Sequence, residues 1–282
     1  MRPTLWMFLK KKRKYALDYF SRHIIPRLVS ADELTLLLDQ HNLLRGSSPL
    51  ISDALWMSLN PHLRKLNYRG TIEALEWILS LPVPYKFPPL TRLVIALQVR
   101  CQWPATPTAS EGVLVTFLKS LEPTLESLSL RIPGQFASIF FSLPHFPRLE
   151  HLEIHLDTYQ ITLVAGVEKA FASFLTIHRE CLRILSLSLY SHLYRWIDIY
   201  RDFCKISFPF LHTLVLGNPR DSVKLTQVFP HVPHLQSFVS GAPNLDEETM
   251  MIIRERASPS QPTIVFGRDS FGVELDVQLR PW

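Results

Sequence analysis

His151, Glu153 and His155 stand at alternate positions, and imidazole and carboxylate are the groups that hold transition metals. Their spacing decides against that chemistry. The surrounding residues alternate like a strand, in which positions four apart are separated by about 13 Å, whereas zinc takes its ligands at about 2 Å. The two histidines therefore do not share an ion, and no metal is expected. There is also no GxSxG elbow, P-loop, GxGxxG or HExxH, the spacings that would place a nucleophile, a phosphate, a dinucleotide or a catalytic zinc. Neither a catalytic residue nor a cofactor is expected.

The remaining chemistry-bearing types are cysteines and a cationic run. Cys101, Cys181 and Cys204 are odd in number and far apart, without a CxxC pair. They read as thiols in a reducing compartment, cytosol or nucleus, with Cys181 and Cys204 as small core residues rather than nucleophiles. Lys10, Lys11, Lys12, Arg13 and Lys14 form an unbroken basic run. Such a peptide is a nuclear import candidate; the plainer reading is a solvated cationic face or a nonspecific phosphate contact.

The elements that must position any site are set by a recurring phrase, PxLxxLxL, clearest from Phe146 to Leu156. Anchored on its first leucine, it returns at Leu63, Leu90, Leu125, Leu149, Leu182, Leu211 and Leu235, with gaps of 27, 35, 24, 33, 29 and 24 residues. The mean period of about 29 is in the range of solenoid repeats. Two residues before the anchor stands Pro61, Pro88, Pro123, Pro147, Pro209 or Pro233, with Glu180 the exception. Proline ends one element and lets the next begin extended. Between phrases the spacing turns helical, as in Leu163, Val167, Ala170, Phe171, Phe174 and Leu175. A strand followed by a helix, repeated, gives parallel strands with right-handed crossovers, and such units stack because none buries its apolar face alone.

Composition agrees with one elongated domain. Of the 282 residues, 47% are hydrophobic and 20% charged, with 9 glycines against 22 prolines. No run of eighteen apolar residues occurs, so no membrane span is expected. The start, with Arg2 and then the apolar stretch Leu5 to Leu9, is too short for a secretory core and is followed at once by five cations, the reverse of the usual order. The net charge of +5 is unevenly placed: residues 1–70 hold 12 Lys and Arg against 5 Asp and Glu, a balance of +7, and the rest balances at −2. Nucleic acid is therefore not expected along the repeat surface as a whole, because phosphate binding needs cations clustered along the face.

Three segments follow. Residues 1–58 lack the phrase and are read as a helical cap with the basic segment; Ser30 and Glu33 suggest a capping box ahead of Leu34, Leu36, Leu37 and Leu38. Residues 59–258 are the repeats, with helices over 71–81, 111–121, 163–175 and 193–203, a short return over 136–141, and a final helix capped by Asn244. Residues 259–282 are read as a capping strand or hairpin, from Thr263–Phe266 and Phe271–Leu279.

The phrase FPxLxxLxL, the helical return and the period resemble the leucine-rich repeats of F-box proteins, particularly their large fungal families, over residues 59–258. The resemblance implies an α/β fold, a leucine-rich-repeat solenoid with a curved parallel sheet inside and helices outside. It also implies the substrate-recognition subunit of a cullin-type ubiquitin ligase, noncatalytic, with a protein partner on the concave face. Two features depart from the family. Eight residues after each anchor, where the common repeat has Asn or Cys, stand Thr71, Gln98, Pro133, Asp157, Tyr190, Pro219 and Pro243, so the turns need other partners. No F-box is recognisable in residues 1–58, which leaves open a chain truncated before it, a divergent F-box that still meets the ligase adaptor, or a repeat protein without that connection.

Side chains that alternate with the strand leucines should line the concave face. The partner-binding candidates are Lys65, Asn67, Arg69, Arg92, Ser129, Arg131, His151, Glu153, His155, Ser186 and Ser188, beside small or apolar neighbours such as Val94, Ala96, Thr213, Val215 and Gly217. The expected function is a protein–protein interaction scaffold in cytoplasm or nucleus. The alternative is a nuclear nucleic-acid-associated protein acting through Lys10–Lys14.

Overall fold

In the computed structural model of the chain, the structure describes residues 4–9, 32–38, 62–79, 87–98, 111–157, 167–190, 203–217, 231–240 and 263–266. The chain divides into two compact units, Met1–Pro133 with Phe146–Arg148, and Gly134–His145 with Leu149–Trp282. Both are built from parallel strands with helical returns.

The first unit carries β1 (Thr4–Leu9), β2 (Glu33–Leu38), β3 (Lys65–Gly70), β4 (Arg92–Leu97) and β5 (Ser127–Pro133). Each pairs in parallel with the next in sequence order. Strict alternation explains the strands: Leu66, Leu93 and Leu128 stand in one register row with Leu34, and Tyr68, Ile95 and Leu130 in another with Leu36. All eight side chains are at most 1% exposed. Fully burying a side chain of this size contributes about 1.5–3 kcal/mol, so the rows fix the register.

The returns bury the opposite side of the same core. Helix α1 (Ile72–Leu79) follows β3 and α2 (Glu111–Ser120) precedes β5. Ile72, Leu75, Ile78 and Leu79 are buried in the first, Leu114, Phe117 and Leu118 in the second, and the Phe87 ring meets Phe117 edge-on at 4.8 Å. Helix α2 stops where Pro123 forbids continuation, after the Leu121 amide has bonded the Leu118 carbonyl at 3.1 Å.

The second unit carries a 3-10 turn (Gly134–Phe136), α3 (Ala137–Phe141), β6 (His151–Asp157), α4 (Val167–His178), β7 (Ile184–Tyr190), β8 (Thr213–Gly217), β9 (Ser237–Ser240) and β10 (Thr263–Phe266). Its strands are also parallel and sequential. Leu152, Leu185, Leu214 and Phe238 make one buried row, and Ile154, Leu187 and Leu216 another. Phe141 packs edge-on to Phe171 at 5.0 Å and tilted to Phe174 at 5.9 Å. His178 ends α4 with no exposed surface, its Nδ1 donating to the Phe174 carbonyl at 2.7 Å. Burial is the main cause that holds its pKa down at about 4, outweighing that hydrogen bond, which acts the other way.

One backbone device recurs at the strand starts. The carbonyl just after the anchor position accepts two successive amides from the next strand: Asp32 from Arg64 and Lys65 (2.8 and 2.9 Å), Arg64 from Thr91 and Arg92 (2.8 and 3.1 Å), Thr91 from Glu126 and Ser127 (2.9 and 3.0 Å). In the second unit Glu150, Arg183 and His212 do the same for residues 183–184, 212–213 and 236–237. The donors begin one residue past the anchoring leucine, so the upstream proline removes no amide that the device uses. At the other end of β3 stands Thr71, eight residues after the anchoring Leu63. Its hydroxyl accepts the Ala74 amide at 3.4 Å, and its carbonyl accepts the Tyr68 hydroxyl at 2.5 Å and the Leu75 amide at 3.1 Å. It thus starts α1 as an N-cap does.

Two local expectations in residues 1–58 are corrected: Thr4–Leu9, within the segment read as helical, is strand β1, paired in parallel with β2. Glu33, read from sequence as part of a capping box, is the first residue of β2, and Leu34 to Leu38 are strand rather than helix. Leu34 and Leu36 point inward opposite Leu66 and Tyr68, and pairing with β3 outweighs the helical spacing suggested by Leu34, Leu37 and Leu38. Thr263–Phe266 is a strand, as expected, and lies parallel to β9. Lys10–Lys14, Cys101, residues 193–202, the helix expected after Asn244 and residues 271–279 lie outside the described residues. Among the described residues, no helix is long and apolar enough to cross a membrane.

Candidate protein-binding face

The strand side chains that do not enter the core form ordered rows, because parallel pairing puts every second residue of neighbouring strands side by side. In the first unit the rows are Glu33–Lys65–Arg92–Ser127, Thr35–Asn67–Val94–Ser129 and Leu37–Arg69–Ala96–Arg131. Arg69, Arg92 and Arg131 are exposed and Lys65 half-buried. The middle row is short and uncharged. Asn67 is tied in place, its amide donating to Glu33 Oε1 at 3.1 Å and Thr35 Oγ1 at 3.3 Å.

The second unit presents His151–Ile184–Thr213–Ser237, Glu153–Ser186–Val215–Val239 and His155–Ser188–Gly217. Glycine is required in the last row. A Cβ at Gly217 would lie 2.9 Å from the Ser188 Cβ and 3.3 Å from its Cα, and closer still to its Oγ, so the shelf is floored by backbone.

Every candidate residue of the sequence reading that falls on these strands is on the face opposite the core. The first unit brings Lys65, Asn67, Arg69, Arg92, Ser129 and Arg131 together; the second brings His151, Glu153, His155, Ser186 and Ser188 together. His151 and His155 stand four positions apart on β6, paired with Ile184 and Ser188. Ser188 lies beside His155 in the ladder, a nucleophile next to a base by type. What these rows can do is hydrogen-bond and pair charges with a surface laid across them.

Glu33, Thr35 and Leu37 were missed because their segment looked helical; their alternation with Leu34 and Leu36 was the available signal. Ser237 and Val239 extend the second face similarly. Burial raises the thiol pKa of both Cys181 and Cys204, the latter to about 11, so neither is a ready thiolate. No protein-family model matches the sequence, and no curated protein does either.

Proposed function

We propose that this chain is a noncatalytic protein-binding scaffold, a leucine-rich-repeat solenoid that presents its strand face to a protein partner. The observation that carries this reading is the register. Charged and polar side chains from consecutive strands stand in rows, over a core whose leucines hold them at fixed spacing. A rigid face of this kind binds by complementarity with little ordering cost. By resemblance of its phrase to F-box leucine-rich repeats, the partner is a substrate presented to a ubiquitin ligase, whose chemistry another subunit performs. Affinity purification of the tagged chain from its native cells, with mass spectrometry, tests both parts. Recovery of the ligase adaptor and cullin with a further protein supports the full reading. A stoichiometric partner without them leaves the scaffold and removes the ligase. The basic run Lys10–Lys14 favours a second reading, nucleic-acid association in the nucleus, for which binding must fall steeply with salt and vanish when that run is deleted.

A further inference from the structure

We infer that the strand face of the first unit receives an extended, acidic segment of a protein partner, rich in Asp and Glu, across β3, β4 and β5. The inference rests on reading that face as a binding surface, and charge gives the partner its chemistry. Lys65, Arg69, Arg92 and Arg131 project from the same side of three adjacent strands, and among the described residues no ion pair engages any of the four. The nearest carboxylate in their rows, Glu33, accepts from Asn67 instead.

Their placement suits several separate carboxylates better than one phosphate. Lys65 and Arg92 are direct neighbours in register, about 5 Å apart between strands. Arg69 and Arg131 stand about 10 Å apart, four positions further along their strands, with only the Ala96 methyl between them. That gap admits a carboxylate between two guanidinium forks, the geometry in which arginine binds it best. The two cation rows are about 13 Å apart, which an extended peptide spans in four residues.

The ground between the cations is made for a peptide. With its amide tied to Glu33 and Thr35, Asn67 keeps Oδ1 as an acceptor for a main-chain amide, while Arg131 and Arg69 supply donors. A phosphate chain offers no such donor. Glu33 at the edge of the cation row repels a uniform polyanion, and β3, β4 and β5 contribute no aromatic residue to these rows to stack a base. Nucleic acid is therefore the weaker occupant.

The test is fluorescence anisotropy on the full chain with a fluorescein-labelled peptide of alternating glutamate and serine, its glutamine–serine counterpart, and single-stranded oligothymidylate. The glutamate peptide should bind, weaken with salt, and lose about tenfold or more in affinity in R69E/R131E, while K119Q/K169Q, which removes two exposed helical cations, binds as wild type. The milder R69Q/R131Q should show a smaller loss, and serves where the reversal unfolds the chain. Equal binding of the glutamine peptide, unchanged affinity in both arginine variants, or tighter binding of oligothymidylate overturns the inference. If the peptide does not bind, yet a protein partner recovered from native cells is lost on Glu153→Lys with Ser186→Arg, the acidic partner falls and the scaffold stands. If no face variant loses a partner, both fall.

Discussion

The side-chain amide of Asn67 donates to Glu33 Oε1 at 3.1 Å, joining adjacent parallel strands across 34 positions of sequence. With a second bond to Thr35, itself 5% exposed, it locks the centre of the first unit's face. Asn67→Ala should cost about 1 kcal/mol, the ordinary worth of such a bond. Asn67→Asp should cost more, because it sets a second carboxylate against Glu33, and the excess should shrink as pH is lowered toward the carboxylate range. Chemical denaturation of the two variants at neutral and acid pH measures both.

His178 sets a pH limit on the second unit. Its imidazole is buried and neutral with a pKa of about 4, whereas the unfolded chain takes up the proton near the ordinary value of about 6.5. Between these values the unfolded state holds more protons, so stability is fully present above about pH 6.5 and falls as pH drops toward 4. The loss across that window is about 3 kcal/mol at most. His178→Phe, which keeps a ring and removes the titration, should flatten stability in that window relative to wild type, as read by denaturation at a series of pH values.

Gly217 and Ser188 should be coupled. Gly217→Ala drives a methyl into the Ser188 side chain and should cost about 1–3 kcal/mol as overpacking does. Ser188→Gly in the same chain removes the obstructing atoms and should recover most of the loss. A double-mutant cycle by thermal unfolding reads the coupling.

The anchoring leucines should not be equal. Leu90 and Leu182 have no exposed surface, and truncation of either to Ala should cost about 2–5 kcal/mol. Leu235, the anchor of the last phrase, is only half-buried. Leu235→Ala should cost less than either, since less area returns to water.

The strands from Lys65 onward were legible in the sequence because one periodicity, alternate leucines after a proline, is enforced by burial on one side. The four helices described begin and end close to where the apolar spacing placed them, since the same core takes their inward residues. Strand β2 was not legible: in Glu33–Leu38 the apolar residues satisfy both periods, and only the pairing of Leu34 with Leu66 and of Leu36 with Tyr68 decides between them. The face residues were recoverable from alternation alone. Their rows follow from the same phrase, since residues in register stand at equal distance from their anchors, as Lys65, Arg92 and Ser127 do two positions past Leu63, Leu90 and Leu125. The paired amides at each strand start are invisible in sequence, being made of backbone. The pull of Asn67 on Glu33 and the clash latent at Gly217 also follow from register.

The central claim, that a protein partner lies on the strand rows, is tested most directly by photo-crosslinking from defined positions in native cells. A photoreactive residue at Val94 or Ser186, on the strand faces, should trap the partner in covalent form, and one at Lys119 or Lys169, on exposed helical positions, should not. Capture from the helical positions with none from Val94 or Ser186 would contradict the account.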